Sequence, residues 1–292
     1  MKFLVRLSCC LLGIFLSTTA FGDELELAVN GVEGVLLENV EARTQIFRIA
    51  GNTRLSRRRL EQMVADAELQ AAAALRPFGY YDAKVSSELI STGDRNWRIV
   101  LNVEKGPPVI ITDYEITVTG DGREDSDLQE WRGNWPLVTG QIINQATWEE
   151  LKDTALRLCS AHGYLNAKFI QQEIRLDLVN NQASLVLTLD TGMQALMGTI
   201  VFNQDSVTPV VLENLPRFTE GQPYDEWVLE QFRLDLWRTG YFENIAVVEE
   251  RRLEEIPPRV NLVVNMEERN RNTYQGGIGY GTDTGIRAQA MW

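Results

Sequence analysis

Apolar residues recur every three or four positions in some stretches of the chain and every second position in others. The first period predicts amphipathic helices, and the second predicts strands with one buried face. One order of elements (strand, helix, helix, strand, strand) occurs three times, with roughly 75 to 85 residues in each unit. The second helices of the units are predicted around Leu60–Leu75, Trp148–Cys159 and Leu229–Leu236.

A glycine-tyrosine motif follows the second helix of every unit. It reads Gly79-Tyr80-Tyr81, Gly163-Tyr164-Leu165 and Gly240-Tyr241-Phe242, at intervals of 84 and 77 residues. Glycine accepts the left-handed conformation that ends a helix. The tyrosines are predicted to hold each helix against the next strand, and their repetition indicates a scaffold rather than a site.

Each unit is predicted to open with a strand and a short helical segment and to close with a hairpin. The opening strands are predicted at Leu25–Val29, Tyr114–Val118 and Thr199–Phe202, and the short segments near Glu33–Ile46, Glu124–Trp131 and Thr208–Leu215. This order predicts an α+β fold, with a mixed three-stranded sheet packed on two helices. Because such a sheet leaves two open edges, each unit is predicted to accept an added strand. The candidate edge residues are Val85, Phe169 and Val247.

Glycine-rich alternation replaces this pattern after the third unit. Ile278 and Tyr280 alternate with glycines, Asp283-Thr284-Gly285 predicts a hairpin turn, and a second alternating run reaches Trp292. One polar or glycine face and one apolar face are typical of a transmembrane β-barrel wall. The alternative of a nucleotide-binding glycine loop is disfavoured, because a strand and not a helix follows.

Charge and the amino terminus narrow the class of protein. With 28 basic and 41 acidic residues, the net charge of −13 disfavours binding to nucleic acid or anionic lipid. Lys2 and Arg6 precede a short apolar run, so residues 1–22 are predicted to be a signal peptide. A lipoprotein signal at Cys9 or Cys10 is disfavoured, because both lie at the wrong end of that run.

Candidate chemistry is sparse in the remaining chain. Cleavage would leave Cys159, interpreted as a buried helix residue, without a disulfide partner. His162, the one histidine, lies at a predicted helix end, where it interacts favourably with the helix dipole. Arg57-Arg58-Arg59 is interpreted as a solvated face, with contact to an acidic partner or lipid headgroups as the alternative. An acidic cluster is interpreted as a solvated turn rather than a metal site: Glu249, Glu250, Glu254 and Glu255.

These features together resemble a known family. Three such units with Gly-Tyr after the second helix resemble POTRA domains, and a signal peptide, three units and a glycine-rich first barrel strand resemble the TamA family of the BamA/TamA superfamily. The resemblance covers Leu25 to Trp292, and three units favour TamA over BamA-like proteins with five or two-partner secretion transporters with two. The segments that carry it are LELAVNGVEGVLLENV, LRPFGYYDAKV, EKGPPVII, RTGYFENIAV and GIGYGTDTGIRAQAMW.

The resemblance implies a domain layout. POTRA domains are expected at 23–108, 109–194 and 195–271, followed at 272–292 by the first hairpin of an outer-membrane barrel. Since a closed barrel needs at least about eight strands, an incomplete barrel is expected. In this family the first barrel strand forms a weak seam with the last. Glycine suits such a seam, which is therefore expected at Gly276, Gly277, Gly279 and Gly281.

The resemblance also implies a function, that of a factor for outer-membrane protein assembly or autotransporter secretion in a Gram-negative bacterium. Its POTRA domains would lie in the periplasm, binding a TamB-like inner-membrane-anchored protein and unfolded client segments by β-augmentation. No catalytic residue, metal or cofactor is expected. A fragment of a BamA-like or two-partner-secretion transporter and a periplasmic scaffold that does not enter the membrane stay open as alternatives. A periplasmic hydrolase is disfavoured, because no nucleophile and base can be paired.

Overall fold

The computed structural model describes residues 25–48, 56–93, 96–204, 212–268, 275–281 and 285–291. These residues form three three-stranded sheets and one two-stranded sheet. The chain divides into two compact units: Met1–Arg76 with Tyr80–Pro107, and Pro77–Gly79 with Pro108–Trp292. The predicted signal peptide lies outside the described residues.

The first repeat is built on the mixed sheet β1-β3-β2, in which β1 runs parallel to β3 and β2 runs antiparallel to it. Leu60, Val64, Ala67 and Ala71 are buried at helical spacing, so one face of the long helix packs on the sheet. The elements are β1 (Leu25–Asn30), α1 (Val35–Arg43), α2 (Gln45–Arg48), α3 (Arg57–Leu75), β2 (Lys84–Gly93) and β3 (Asn96–Glu104).

The second repeat has the equivalent sheet order, β4-β6-β5. Its core contains three buried tryptophans in edge-to-face contact, with Trp135 centred 5.5 Å from Trp131 and 5.9 Å from Trp148. Asp125 and Asn144 cap its two helices by accepting hydrogen bonds from backbone N–H groups of the first turn. The elements are β4 (Ile110–Thr119), α4 (Ser126–Gly133), α5 (Gln145–Ala161), β5 (Lys168–Asp177) and β6 (Gln182–Asp190).

The third repeat has the sheet order β7-β9-β8. Phe232 is fully buried at its centre, with the rings of Phe202 and Phe218 edge-on at 6.4 and 5.6 Å. The first half of the short helix predicted near Thr208–Leu215, residues 208–211, lies outside the described residues. The elements are β7 (Leu196–Asn203), α6 (Glu226–Arg238), β8 (Phe242–Arg252) and β9 (Arg259–Glu268), followed by the antiparallel pair β10 (Gln275–Gly281) and β11 (Gly285–Met291).

The predicted α+β class and the mixed sheets are confirmed, whereas the domain boundaries stay a prediction. The interpretation of the acidic cluster as a turn was wrong for Glu249 and Glu250. Both lie within β8, because this strand pairs with β9 as far as Arg252 opposite Arg259. No described helix is both long and apolar enough to cross a membrane.

Candidate functional site

The candidate site consists of the edge strands β2, β5 and β8, which carry the three predicted edge residues. No described strand pairs with their outer sides, and β1, β4 and β7 form the opposite edges of the three sheets. The structure places Val85 on β2, Phe169 on β5 and Val247 on β8. All three side chains are half-buried, and Val85 and Val247 pack against the cores of their repeats. Their side chains therefore support the core, while the backbone beside them lies at an open edge. Each residue belongs to a different sheet, so the structure brings no two of them together.

Bulges limit the straight part of β2, β5 and β8. The pairing register shifts between Ser91 and Gly93 in β2, between Phe169 and Gln171 in β5, and between Phe242 and Asn244 in β8. A bulge bends and twists an edge strand, which opposes further pairing at that point. The straight runs left for an added strand are 84–91, 171–177 and 244–252.

Ion pairs occupy the far end of the β8 run. Glu249 accepts hydrogen bonds from Arg233 at 3.0 Å and from Arg251 at 2.9 Å. The Tyr224 hydroxyl, 3.4 Å from the same carboxylate, has its pKa raised to about 12 by burial and by the charge of Glu249. Glu249 is thus committed to structural contacts, and no described group of acidic, histidine and cysteine side chains could hold a metal ion.

Glycines line one face of the final strand pair. Gly277 pairs with Gln289 and Gly279 with Arg287, and a β-carbon at either glycine would meet no described atom within 4 Å. The exposed apolar side chains lie on the other face: Ile278, Tyr280 and Ile286. The predicted turn residues Asp283 and Thr284 lie outside the described residues. The strand pair itself is observed, whereas its place in a barrel wall remains a proposal.

His162 lies at the end of α5 as predicted, but its main contacts are with two carboxylates. Its Nδ1 is 2.7 Å from Asp125 Oδ2, and its Nε2 is 3.1 Å from Asp127 Oδ2. The Tyr164 hydroxyl donates a hydrogen bond to Asp125 Oδ2 at 3.3 Å. Asp125 also caps α4 through the N–H groups of Asp127 and Leu128. One carboxylate thus joins the start of α4 to the end of α5.

The pKa values of His162 and Asp125 are shifted in the directions that favour an ion pair between them. Burial opposes the charged form of His162, yet hydrogen bonding to Asp125 and the charges of Asp125 and Asp127 raise its pKa above the usual value. Burial also opposes ionisation of Asp125, but the bond with His162 and the capping N–H groups lower its pKa. Cys159 is buried as predicted, and burial raises its pKa to about 12, so its thiol stays protonated.

The glycine after α5 forms a close joint with the third repeat. Gly163, at φ +82°, accepts a hydrogen bond from Ala195 N–H at 2.8 Å, and Ala195 accepts one from Tyr224 N–H at 2.8 Å. A β-carbon on Gly163 would lie 2.7 Å from the Tyr224 carbonyl oxygen. Only glycine therefore satisfies both the left-handed conformation and the contact at this position.

The same arrangement occurs at Gly79, which belongs to the same compact unit as the second repeat. Gly79 accepts from Val109 N–H at 2.8 Å, and Val109 accepts from Ile143 N–H at 3.1 Å. The third glycine differs, since a β-carbon on Gly240 would meet no described atom within 4 Å. Tyr241 beside it is 60% exposed, whereas Tyr164 is 6% exposed. The prediction that every such tyrosine locks helix to strand is therefore wrong for Tyr241.

Residues 26–105 match the family model described as POTRA domain TamA domain 1. The match spans the first repeat from β1 to β3. Solved structures that match the chain include POTRA3-5 of Haemophilus influenzae BamA, at 16% identity and a TM-score of 0.42, covering 84% of this chain and 96% of that one. The N-terminal domain of Omp85 from Thermosynechococcus elongatus matches at 18% identity and a TM-score of 0.33, covering 84% and 96%. CdiB from Acinetobacter baumannii matches at 15% identity and a TM-score of 0.34, covering 63% of this chain and 35% of that one.

Two features outside the first repeat escaped the sequence reasoning. Asp125 and Asp127 lie far from His162 in sequence, and no local pattern relates a helix start to the end of the next helix. The outer face of α6 also escaped notice, although aligning the second helices on the repeated glycines would have found it. The edge strands were found, because period-two alternation and a hairpin define which strand lies outermost.

Proposed function

We propose that this chain is the periplasmic POTRA arm of a TamA-like outer-membrane factor for protein assembly or autotransporter secretion. In this proposal the open edges of β2, β5 and β8 bind extended partner or client segments by β-augmentation. The added strand would pair through backbone hydrogen bonds, which require no particular side chains. This mode suits a factor that receives clients of many sequences.

The observation that carries the proposal is the repetition of one open edge in all three repeats. Each sheet places its last-but-one strand outermost, with a straight run of backbone between a bulge and a turn. Half-buried side chains such as Val85 and Val247 pack on the cores and fix the position of this backbone. The match of residues 26–105 to a TamA POTRA model supports the same reading.

The proposed partners divide between the two ends of the chain. The first POTRA domain would bind a TamB-like periplasmic protein anchored in the inner membrane. Client strands destined for the outer membrane would pair near β10, where Gly277 and Gly279 lower the stability of strand pairing. Gly276 and Gly281 would belong to the same seam. The mechanism uses backbone hydrogen bonds and needs no cofactor.

Proline substitution in neighbouring pairs tests the proposal. The pairs are Val85→Pro with Ser86→Pro in β2, and Ala246→Pro with Val247→Pro in β8. In each pair the N–H of one residue points toward the inner strand, and the N–H of the other points away from it, toward the open edge. The reason is that N–H directions alternate along a strand. The variant that keeps its melting temperature has lost only the outward donor. We expect that variant to bind a urea-unfolded outer-membrane β-barrel protein several-fold more weakly after dilution from urea.

A charge swap on the exposed face of α5, Glu150→Lys, is the matched control, because it changes the surface without touching an edge. Circular dichroism and melting temperature verify folding of every variant. If the stable proline variants and the charge swap bind the unfolded barrel protein equally well, binding at the sheet edges is wrong.

A further inference from the structure

The outer face of α6 is apolar although the helix already buries its inner face. Leu229, Phe232 and Leu236 form the buried face in the core of the third repeat. On the opposite face, Trp227 is 68% exposed, Leu234 is 44% exposed and Trp237 is 49% exposed. Their spacing of seven and three residues places them on one side of the helix. We call these three residues the outer stripe.

Comparison with the equivalent helix of the second repeat shows that the outer stripe is not required by the fold. Aligning the two helices on Gly163 and Gly240 places Trp227, Leu234 and Trp237 at the positions of Glu150, Arg157 and Ser160. Two of the three buried positions keep their character in the same alignment, with Phe232 at Ala155 and Leu236 at Cys159. The third does not, because Leu229 aligns with the half-buried Lys152. The two helices therefore share part of the inner face and differ at all three positions of the outer stripe. An exposed aromatic stripe of this kind indicates a contact surface.

A second apolar surface follows in the same part of the chain. Ile278, Tyr280 and Ile286 are exposed on one face of the strand pair β10–β11. Tryptophan and tyrosine favour the boundary between headgroups and acyl chains, where an apolar ring and a polar N–H or O–H are both satisfied. A bilayer surface suits an outward helix stripe and an apolar strand face alike, because it is apolar and extends beyond either one.

The charges of the helix and of the whole chain favour zwitterionic over anionic lipid headgroups. The outer stripe is flanked by Glu230 and Arg238, and Arg238 forms an ion pair with Asp235 at 3.4 Å. The chain as a whole carries a net charge of −13. An anionic surface would repel it, so the stripe suits zwitterionic headgroups such as phosphatidylethanolamine.

We propose that the outer stripe of α6 inserts at the headgroup boundary of a zwitterionic bilayer and holds the third repeat against the membrane surface. This inference rests on the proposed function, which places the third repeat beside an outer membrane. Because the inner face of α6 is committed to the core, the contact is shallow and reversible.

A graft of the second repeat's residues tests the inference. The full chain carrying Trp227→Glu, Leu234→Arg and Trp237→Ser takes the outer face of α5 with no change in net charge. Surface substitutions of this kind shift stability by only about 0.5 kcal/mol. In flotation with vesicles of phosphatidylethanolamine and phosphatidylcholine, we expect the graft to bind at least about tenfold more weakly. A milder pair, Trp227→Gln with Trp237→Gln, serves if the graft fails to fold.

A control variant separates the outer stripe from the strand pair. Ile278→Ser, Tyr280→Ser and Ile286→Ser remove the apolar face of β10–β11, and the graft should still lower vesicle binding in this background. Lipids brominated near the headgroup should quench tryptophan emission of the parent chain more than that of the graft. Flotation of the graft equal to that of the parent overturns the inference.

Other occupants would give different results. A change of sedimentation coefficient between parent and graft without vesicles would assign the stripe to a second copy of this chain. Weaker binding of the unfolded barrel protein, with unchanged flotation, would assign it to a protein partner. Vesicle binding that needs anionic lipid and disappears in high salt would show an electrostatic contact instead. Each of these overturns the bilayer assignment and leaves the proline test of the sheet edges to judge the proposed function separately.

Discussion

The second and third repeats have the same sheet topology, but the outer face of the long helix is polar in the second and apolar in the third. In the second, Tyr164 is buried, Gly163 is in close contact with Tyr224, and the helix presents Glu150 and Arg157 outward. In the third, Tyr241 and the helix side chains Trp227 and Trp237 are exposed. Since both helices bury apolar side chains at the positions of Phe232 and Leu236, the fold depends on the interior, and the exterior is free to specialise.

The two repeats differ in the backbone contacts made around the glycines at their ends. The second repeat is fixed at both ends by backbone hydrogen bonds around Gly79 and Gly163. At Gly240, the equivalent glycine of the third repeat, a β-carbon would meet no described atom within 4 Å. The space beside Gly163 is therefore filled by described atoms, whereas the space beside Gly240 is open to them.

Tryptophans on the equivalent helices should differ most in their contribution to stability. Trp148 is buried on α5 against Trp135, whereas Trp227 lies on the outer face of α6. We expect Trp148→Ala to lower the free energy of unfolding by about 3–5 kcal/mol. Trp227→Ala should change it by no more than about 0.5 kcal/mol. Urea unfolding followed by circular dichroism measures both, and equal losses would contradict the assigned burial.

The repeated glycines should give the next largest difference. Both have positive φ, so alanine introduces left-handed strain of about 1–2 kcal/mol at either position. At Gly163 the new β-carbon also meets the Tyr224 carbonyl oxygen at 2.7 Å, whereas at Gly240 it meets no described atom. Gly163→Ala should therefore lower the free energy of unfolding by about 1–3 kcal/mol more than Gly240→Ala. A larger loss for Gly240→Ala than for Gly163→Ala in urea titrations would contradict the close contact between Gly163 and Tyr224.

The smallest expected effect is a pH dependence in the second repeat. The pKa of His162 is raised above its usual 6.5, so its stabilising contribution is complete below pH 6.5 and is lost as pH rises through the folded-state pKa. The pKa of Asp125 is lowered below its usual 3.8, so its contribution is present above that pH and is lost under stronger acid.

The melting temperature should therefore fall by about a few degrees at most between pH 6.5 and pH 8. His162→Gln should remove this fall. Differential scanning calorimetry across this range compares the two proteins. A parallel fall in the variant would show that other groups cause the dependence.

Alternation and helical spacing were sufficient to predict three mixed sheets, because the interior determines both patterns. The outermost strands followed from the same reasoning, and Val85, Phe169 and Val247 lie on them. Longer-range contacts could not be predicted. The bond from His162 to Asp125 joins the ends of two helices, and the shift of Glu250 from a turn into β8 depends on pairing with β9.

The central claim, that the open sheet edges receive extended segments, is tested most directly by amide hydrogen exchange. The full chain is measured alone and with a urea-unfolded outer-membrane β-barrel protein diluted into it. We expect exchange to slow at least about tenfold at alternate amides within 84–91, 171–177 or 244–252, with β3, β6 and β9 unchanged because they are already paired on both sides. Unchanged exchange on all three edges, or protection confined to α6, would contradict the account.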